Sequence, residues 1–170
     1  MIRLLKGIQI KPLERKLDER GCFIELMRKD WRELLGEDEI AQANLSITYP
    51  GIIRAWHRHS RGQMDYFIVL RGALKICAFD DNSGELTEIV STGEEPRIVR
   101  VPGKYWHGFK ALGDQPAWLL YIVNKLYDYE KPDEERRSWV DPRIIPQSIN
   151  GKSNDPRVGK RWDWDYPPHR

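Results

Sequence analysis

From residue 41 to residue 123 the chain is a succession of short apolar runs bounded by turn residues: 43–48, 52–59, 66–70, 73–79, 85–90, 97–101 and 118–123. Asp80-Asp81-Asn82-Ser83-Gly84 between two of them is a hairpin loop. Many short strands at this spacing predict a sandwich or a barrel. Ahead of them, 8–12 reads as a short extended piece, and 22–27 as another after the turn signal Asp18-Glu19-Arg20-Gly21. Segment 30–35 has helical spacing, with Trp31, Leu34 and Leu35 on one side and Gly36 ending it. Beyond residue 133 the regularity fails. The tail 142–170, rich in Pro, Asn, Asp and Trp, is expected to wrap over the barrel. With no internal repeat or linker, one domain is expected over 1–170, its barrel core at about 41–130.

Charge narrows the partners. The 28 basic and 26 acidic residues leave a formal charge of +2, which gives no reason to expect nucleic acid or an anionic membrane. No apolar run approaches the roughly 18 residues of a span, and the N-terminus lacks a signal-peptide pattern. A cytoplasmic location is expected. Cys22 and Cys77 lie far apart, without metal-type spacing or a disulfide framework.

Three of the four histidines fall in one pattern with a carboxylate: Gly51, His57, His59, Asp65 and Gly72, then Pro102 and His107 downstream. Side chains alternate along a strand, so His57 and His59 share a face. The turn-rich Ser60-Arg61-Gly62 lets Asp65 come back to face them, and His107 arrives from a second hairpin after Val101-Pro102-Gly103. Three imidazoles and a carboxylate form a first shell suited to zinc, iron, nickel or manganese. This pattern resembles the two signature motifs of the cupin family, with Asp65 where the family usually has Glu. The resemblance implies an all-β fold, a double-stranded β-helix or jelly-roll barrel with a site inside its mouth. Here it would carry a short N-terminal helix and an irregular C-terminal tail.

A second resemblance covers most of residues 18–142. Asp18 through Glu25, Gln42-Ala43-Asn44-Leu45-Ser46, Gly51 through His57, Val101 through Phe109, Leu120-Tyr121, and Pro132 through Arg136 ahead of Trp139-Val140-Asp141-Pro142 look like the dTDP-4-dehydrorhamnose 3,5-epimerase family, itself built on the cupin barrel. That resemblance implies a nucleotide-sugar epimerase, an isomerase that inverts a carbon beside a 4-keto group, working as a homodimer with N-terminal strands exchanged. It implies His57 as base and Tyr121 as acid. Arg20, Gln42, Asn44 and Arg54 match residues that hold the nucleotide diphosphate or support the base, and His107 the second active-site histidine. Imidazole suits the base because it titrates near neutrality. Arginine's fork suits a diphosphate.

Two departures matter. The family's enolate-stabilising lysine aligns with Asp65, and a glutamine two residues after the base is His59. A carboxylate repels an enolate. A divalent metal held by His57, His59, Asp65 and His107 could replace the lysine as Lewis acid, but a ligand His57 would be a poor base. In a metal-free site, Tyr66 or Lys104 would be candidate donors to the enolate. The family's aspartate behind the base has only Asp163 and Asp165 as candidates. Plainer readings stand beside these. Arg20 and Arg54 could be ion-pair partners, for instance to Glu25, Tyr121 a barrel-core aromatic, and His169 an isolated surface residue. The charge run 133–137 reads as a solvated turn, and 162–168 either as an aromatic lid or as packing. Three function classes remain open: an epimerase or close relative, a metal-dependent cupin isomerase or dioxygenase on another small molecule, and a non-catalytic sugar-binding cupin.

Overall fold

The computed structural model describes residues 2–166; His169, Pro167 and Pro168 lie outside the described residues. Two sheets face each other as a jelly-roll barrel, the all-β cupin architecture. The five-stranded sheet has the order β1 (Gln9–Pro12), β9 (Arg97–Pro102), β6 (Met64–Arg71), β11 (Ala117–Val123), β4 (Gln42–Thr48). The six-stranded sheet runs β12 (Glu135–Arg136), β5 (Ile53–Arg58), β10 (Trp106–Leu112), β7 (Ala73–Phe79), β8 (Glu85–Thr92), β13 (Ser148–Ile149). β2 (Lys16–Asp18) and β3 (Gly21–Phe23) form a separate hairpin, and α1 (Arg32–Leu35) is a single short helix. Among the described residues no helix is long and apolar enough to cross a membrane.

The apolar runs are nearly continuous because several strands are covered on both faces. Along β6, Phe67 and Val69 point between the sheets, where they join Ile76, Val99, Phe109 and Leu119. Tyr66 and Ile68 alternate to the outside and pack under Leu13, Leu34 and Leu35. The outer face of the six-stranded sheet is covered by the tail, whose Ile144, Ile149, Trp162 and Trp164 bury Trp56, Cys77, Phe79 and Trp106. A buried charge cluster fastens it: Lys75 Nζ donates to the Trp164 carbonyl (3.1 Å), and Arg157 pairs with Glu88 (2.6 Å). Trp162 and Trp164 therefore pack against the barrel's outside, and neither lines the cavity, which removes the lid reading for the described residues of that segment.

Other expectations shift in detail. The extended segment expected over 22–27 is regular only to Phe23. The piece at 8–12 is β1, paired with β9. β10 lies outside the expected runs, since Gly108 and Lys110 break its apolar pattern, yet it is the strand between β5 and β7.

Candidate active site

The barrel encloses a cavity of about 670 Å³ lined from both sheets. β5 and the residue after it supply His57 and His59, β6 Asp65 and β11 Tyr121, while β10 places the fully buried His107 against them. His107 lies opposite His57 across the β10–β5 pair, and the register slips immediately after it. At the slip, Gly108 faces Ala55, and a Cβ there would fall 2.3 Å from the Ala55 Cβ and 2.5 Å from the Arg54 carbonyl oxygen. Only glycine lets the two histidine-bearing strands approach this closely. Gly103 acts similarly at the other corner. It accepts from the His59 amide (2.7 Å), and a Cβ on it would meet Gln63 O at 2.6 Å and the His59 ring at 3.0 Å.

The three imidazoles converge. Ring centroids are 4.4 Å apart for His57 and His107, 5.4 Å for His59 and His107, and 6.0 Å for His57 and His59. One ring nitrogen from each lies within 4.8 Å of the others, so His57, His59 and His107 could hold one cation. Asp65 stands beside this trio, its Oδ2 at 3.1 Å from His107 Nε2 and 3.8 Å from His59 Nε2. Backbone carbonyls orient two of the rings. Nδ1 of His107 meets Tyr105 O at 2.8 Å, and Nδ1 of His59 meets Asp133 O at 2.5 Å. A carbonyl only accepts, so each Nδ1 carries a proton and each ring turns its Nε2 inward, that of His59 against the Gln63 amide (3.2 Å). Among the described residues Asp65 Oδ2 and His107 Nε2 are buried without hydrogen-bond partners. A facing, buried ring nitrogen and carboxylate oxygen without partners form a set suited to a cation.

Electrostatics separate the groups. Burial drives the His57 pKa well below its ordinary value, helped by His107; Asp65 pulls the other way and is outweighed. Burial pushes the Asp65 carboxyl up, but His107, His59 and the Gln63 amide more than offset it, so it stays below the usual carboxylate range. The Tyr121 phenol is raised by burial and by the negative charges of Asp65 and Glu134.

Gln42, Asn44 and Arg54 also line the cavity. Gln42 donates to Asn44 Oδ1 (2.8 Å) and accepts from the Tyr127 amide (3.0 Å), while Arg54 Nε donates to Thr48 Oγ1 (3.1 Å). Tyr121 lines it as well. Arg20 stands apart at the tip of the β2–β3 hairpin, its side chain 86% exposed and bonded to Asp18. Glu25, suggested as its partner, pairs instead with Arg28 (2.8 Å).

Several expectations are corrected. Tyr66 is buried outside the cavity with its hydroxyl on Asp38, and Lys104 lies over the Tyr105 ring, so neither can reach an enolate in the cavity. Asp165 is exposed and bonded to Lys110 on the outer face, Asp163 is exposed too, and neither backs His57. The charge run 133–137 is a strap over the cavity mouth rather than a solvated turn: Asp133, Glu134, Arg136 and Arg137 all line it. β12 within it pairs Arg136 with His57. The Asp133 carboxylate accepts from Ser60 N (2.9 Å), Ser60 Oγ (3.0 Å) and Arg61 N (2.9 Å), while its carbonyl holds His59. Arg137 stacks on Trp106 at 4.0 Å and bonds Asp81. Gln63, also missed, lines the cavity two residues before Asp65, and that spacing was the available signal.

Residues 16–135 match the family model described as Polysaccharide biosynthesis C-terminal domain. The chain is 41% identical to the probable low-salt glycan biosynthesis epimerase Agl13 of Haloferax volcanii, over 78% of this chain and 86% of that protein. It is 31% identical to the dTDP-4-dehydrorhamnose 3,5-epimerase of Methanothermobacter thermautotrophicus, over 82% of this chain and 78% of that protein. Among solved structures, NovW, a 4-keto-6-deoxy sugar epimerase from the novobiocin gene cluster of Streptomyces spheroides, superposes with a TM-score of 0.73 at 27% identity, covering 92% of this chain and 83% of that one. The chain belongs to the polysaccharide-biosynthesis C-terminal domain family and, within the cupins, to the dTDP-4-dehydrorhamnose 3,5-epimerase-like proteins.

Proposed function

We propose that the protein is a nucleotide-sugar epimerase that moves the proton on a carbon beside a 4-keto group. The observation that carries this reading is the disposition of two groups. His57 is on β5 of one sheet and Tyr121 on β11 of the other, so they stand on opposite walls of one cavity. Inversion needs a proton taken from one face of the sugar and another delivered to the opposite face. Burial keeps His57 neutral and able to accept a proton, with Asp65 nearby to favour the imidazolium that forms. Burial and the neighbouring carboxylates keep Tyr121 protonated and able to donate. Gln42, Asn44 and Arg54 supply polar and cationic contacts for the nucleotide diphosphate. His57→Asn should lower turnover of a nucleotide-linked 4-keto-6-deoxy sugar by at least about 10²-fold without lowering Tm. Unchanged turnover in that variant would overturn the assignment.

A metal-assisted form of the same reading is supported by the inward Nε2 atoms of His59 and His107 and by the unpartnered His107 Nε2 and Asp65 Oδ2. His57, His59 and His107, with Asp65 beside them, would hold zinc, iron, nickel or manganese. Such a cation would polarise the keto oxygen, the task of the lysine this chain lacks at Asp65. His57 would then be a ligand rather than the base. Loss of turnover on chelation supports this form, and turnover that survives chelation supports His57 as the base.

We also propose a cytoplasmic homodimer. The β2–β3 hairpin exposes Leu17 (74%) and Phe23 (62%), an apolar surface that a second copy would cover. Arg20 on that hairpin is remote from its own cavity lining and would serve the cavity of the second copy. The free thiols of Cys22 and Cys77 suit a reducing compartment.

A further inference from the structure

The Gln63 amide spans the two residues that matter most to a cation at this site. It donates to His59 Nε2 at 3.2 Å and to Asp65 Oδ1 at 2.9 Å. The Nδ1 proton of His59 is committed to the Asp133 carbonyl, so Nε2 is this ring's single acceptor, and Gln63 occupies it. His107 differs. Its Nδ1 is held in the same manner by the Tyr105 carbonyl, yet its Nε2 has no hydrogen-bond partner among the described residues. Two histidines prepared alike thus differ in one respect, the amide of Gln63.

We infer that Gln63 is a gate on cation binding, an inference that rests on the metal-assisted reading above. A lone pair that accepts an N–H cannot at the same time coordinate a cation, so the amide must leave His59 before that ring becomes a ligand. The bond to Asp65 need not break. It engages Oδ1, whereas Oδ2 is the oxygen that faces His59 and His107. The bond to be released is also the longer of the two, and hydrogen bonds weaken with length. With the cation in place Gln63 would keep orienting the Asp65 carboxylate from behind, as outer hydrogen bonds do at metal sites. Without it, the same amide stitches His59 to Asp65. The protein would therefore be organised in both states, at the cost of weakened cation affinity.

The test compares Zn²⁺ affinity of the wild type and Gln63→Glu by competition with a chromogenic chelator. A carboxylate at 63 donates nothing to His59 and adds an anionic oxygen, so Gln63→Glu should bind at least about tenfold more tightly. The wild type gives a second readout that does not depend on how the variant folds. In ¹⁵N-labelled protein, Zn²⁺ should shift the Gln63 side-chain amide resonances as the bond to His59 breaks. Equal affinities, or Zn²⁺ binding that leaves those resonances in place, would overturn the gate and leave the metal-assisted reading standing. Failure of both proteins to bind Zn²⁺ would overturn that reading, and the gate with it.

Discussion

Asp65 is a buried carboxylate at the centre of the site, and its neighbours suit it. A buried carboxylate is costly unless positive charge or donors surround it. Here His107, His59 and Gln63 do so, enough to hold its pKa below the usual range in spite of burial. The His57–His59 pair was legible in the sequence because it rests on alternation along one stretch of chain, and Asp65 and His107 were legible from the motif spacing that brings in two further strands. The acceptors that orient the rings were not, since both are backbone carbonyls, at Tyr105 and Asp133, which carry no side-chain signature. At this scale Tyr121 offers a sharp prediction. Tyr121→Phe removes the proton donor on one wall and leaves His57 on the other. Inversion should fall by about 10²-fold or more while exchange of the substrate proton with solvent persists. Proton NMR of the sugar separates the two, and loss of both together would place Tyr121 outside the proton transfer.

The strap at 133–137 and the β5–β10 pair are the elements that shape the site. Asp81 ties the strap to the barrel through Arg137 (2.7 Å) and the Trp106 indole (2.9 Å). Burial raises the Asp81 carboxyl, but Arg137 and Trp106 outweigh it and leave its pKa lowered. A carboxyl depressed in the folded state stabilises fully above its unfolded value of about 3.9 and loses that contribution as pH falls through the lower folded value. The Tm gap between the wild type and Asp81→Asn should therefore be largest near neutrality and close in acid; a gap independent of pH would refute the coupling. Gly108 makes a second case. Gly108→Ala forces a methyl into the Ala55 side chain and the Arg54 carbonyl, prising β10 from β5. A loss of about 1–3 kcal/mol of stability with a fall in activity is expected, measured by denaturation and turnover. Most barrel strands were legible as apolar runs between turns. β10 was not, because the glycine that permits the close approach also breaks the pattern. The strap was not, because a charge run looks the same in solvent as over a cavity.

On the scale of the whole molecule, both sheets are sandwiched: residues 13–40 cover one, the tail the other, and the space between is left for the cavity. The wrapping of the tail was legible from its Trp and Pro content. Its side of the barrel was not, since the buried pairing of Lys75, Glu88 and Arg157 joins residues distant in sequence. This arrangement puts the proposed base and acid on different sheets, with the tail's Trp164 packed on Trp56 at 4.9 Å beside His57. The central claim, that this cavity moves a proton beside a keto group, is tested most directly by deuterium incorporation. The wild-type protein in D₂O with a nucleotide-linked 4-keto-6-deoxy sugar should place deuterium on the carbon next to the ketone, read by NMR or mass spectrometry. Absence of incorporation with every dTDP-, UDP-, GDP- and CDP-linked keto sugar offered would contradict it.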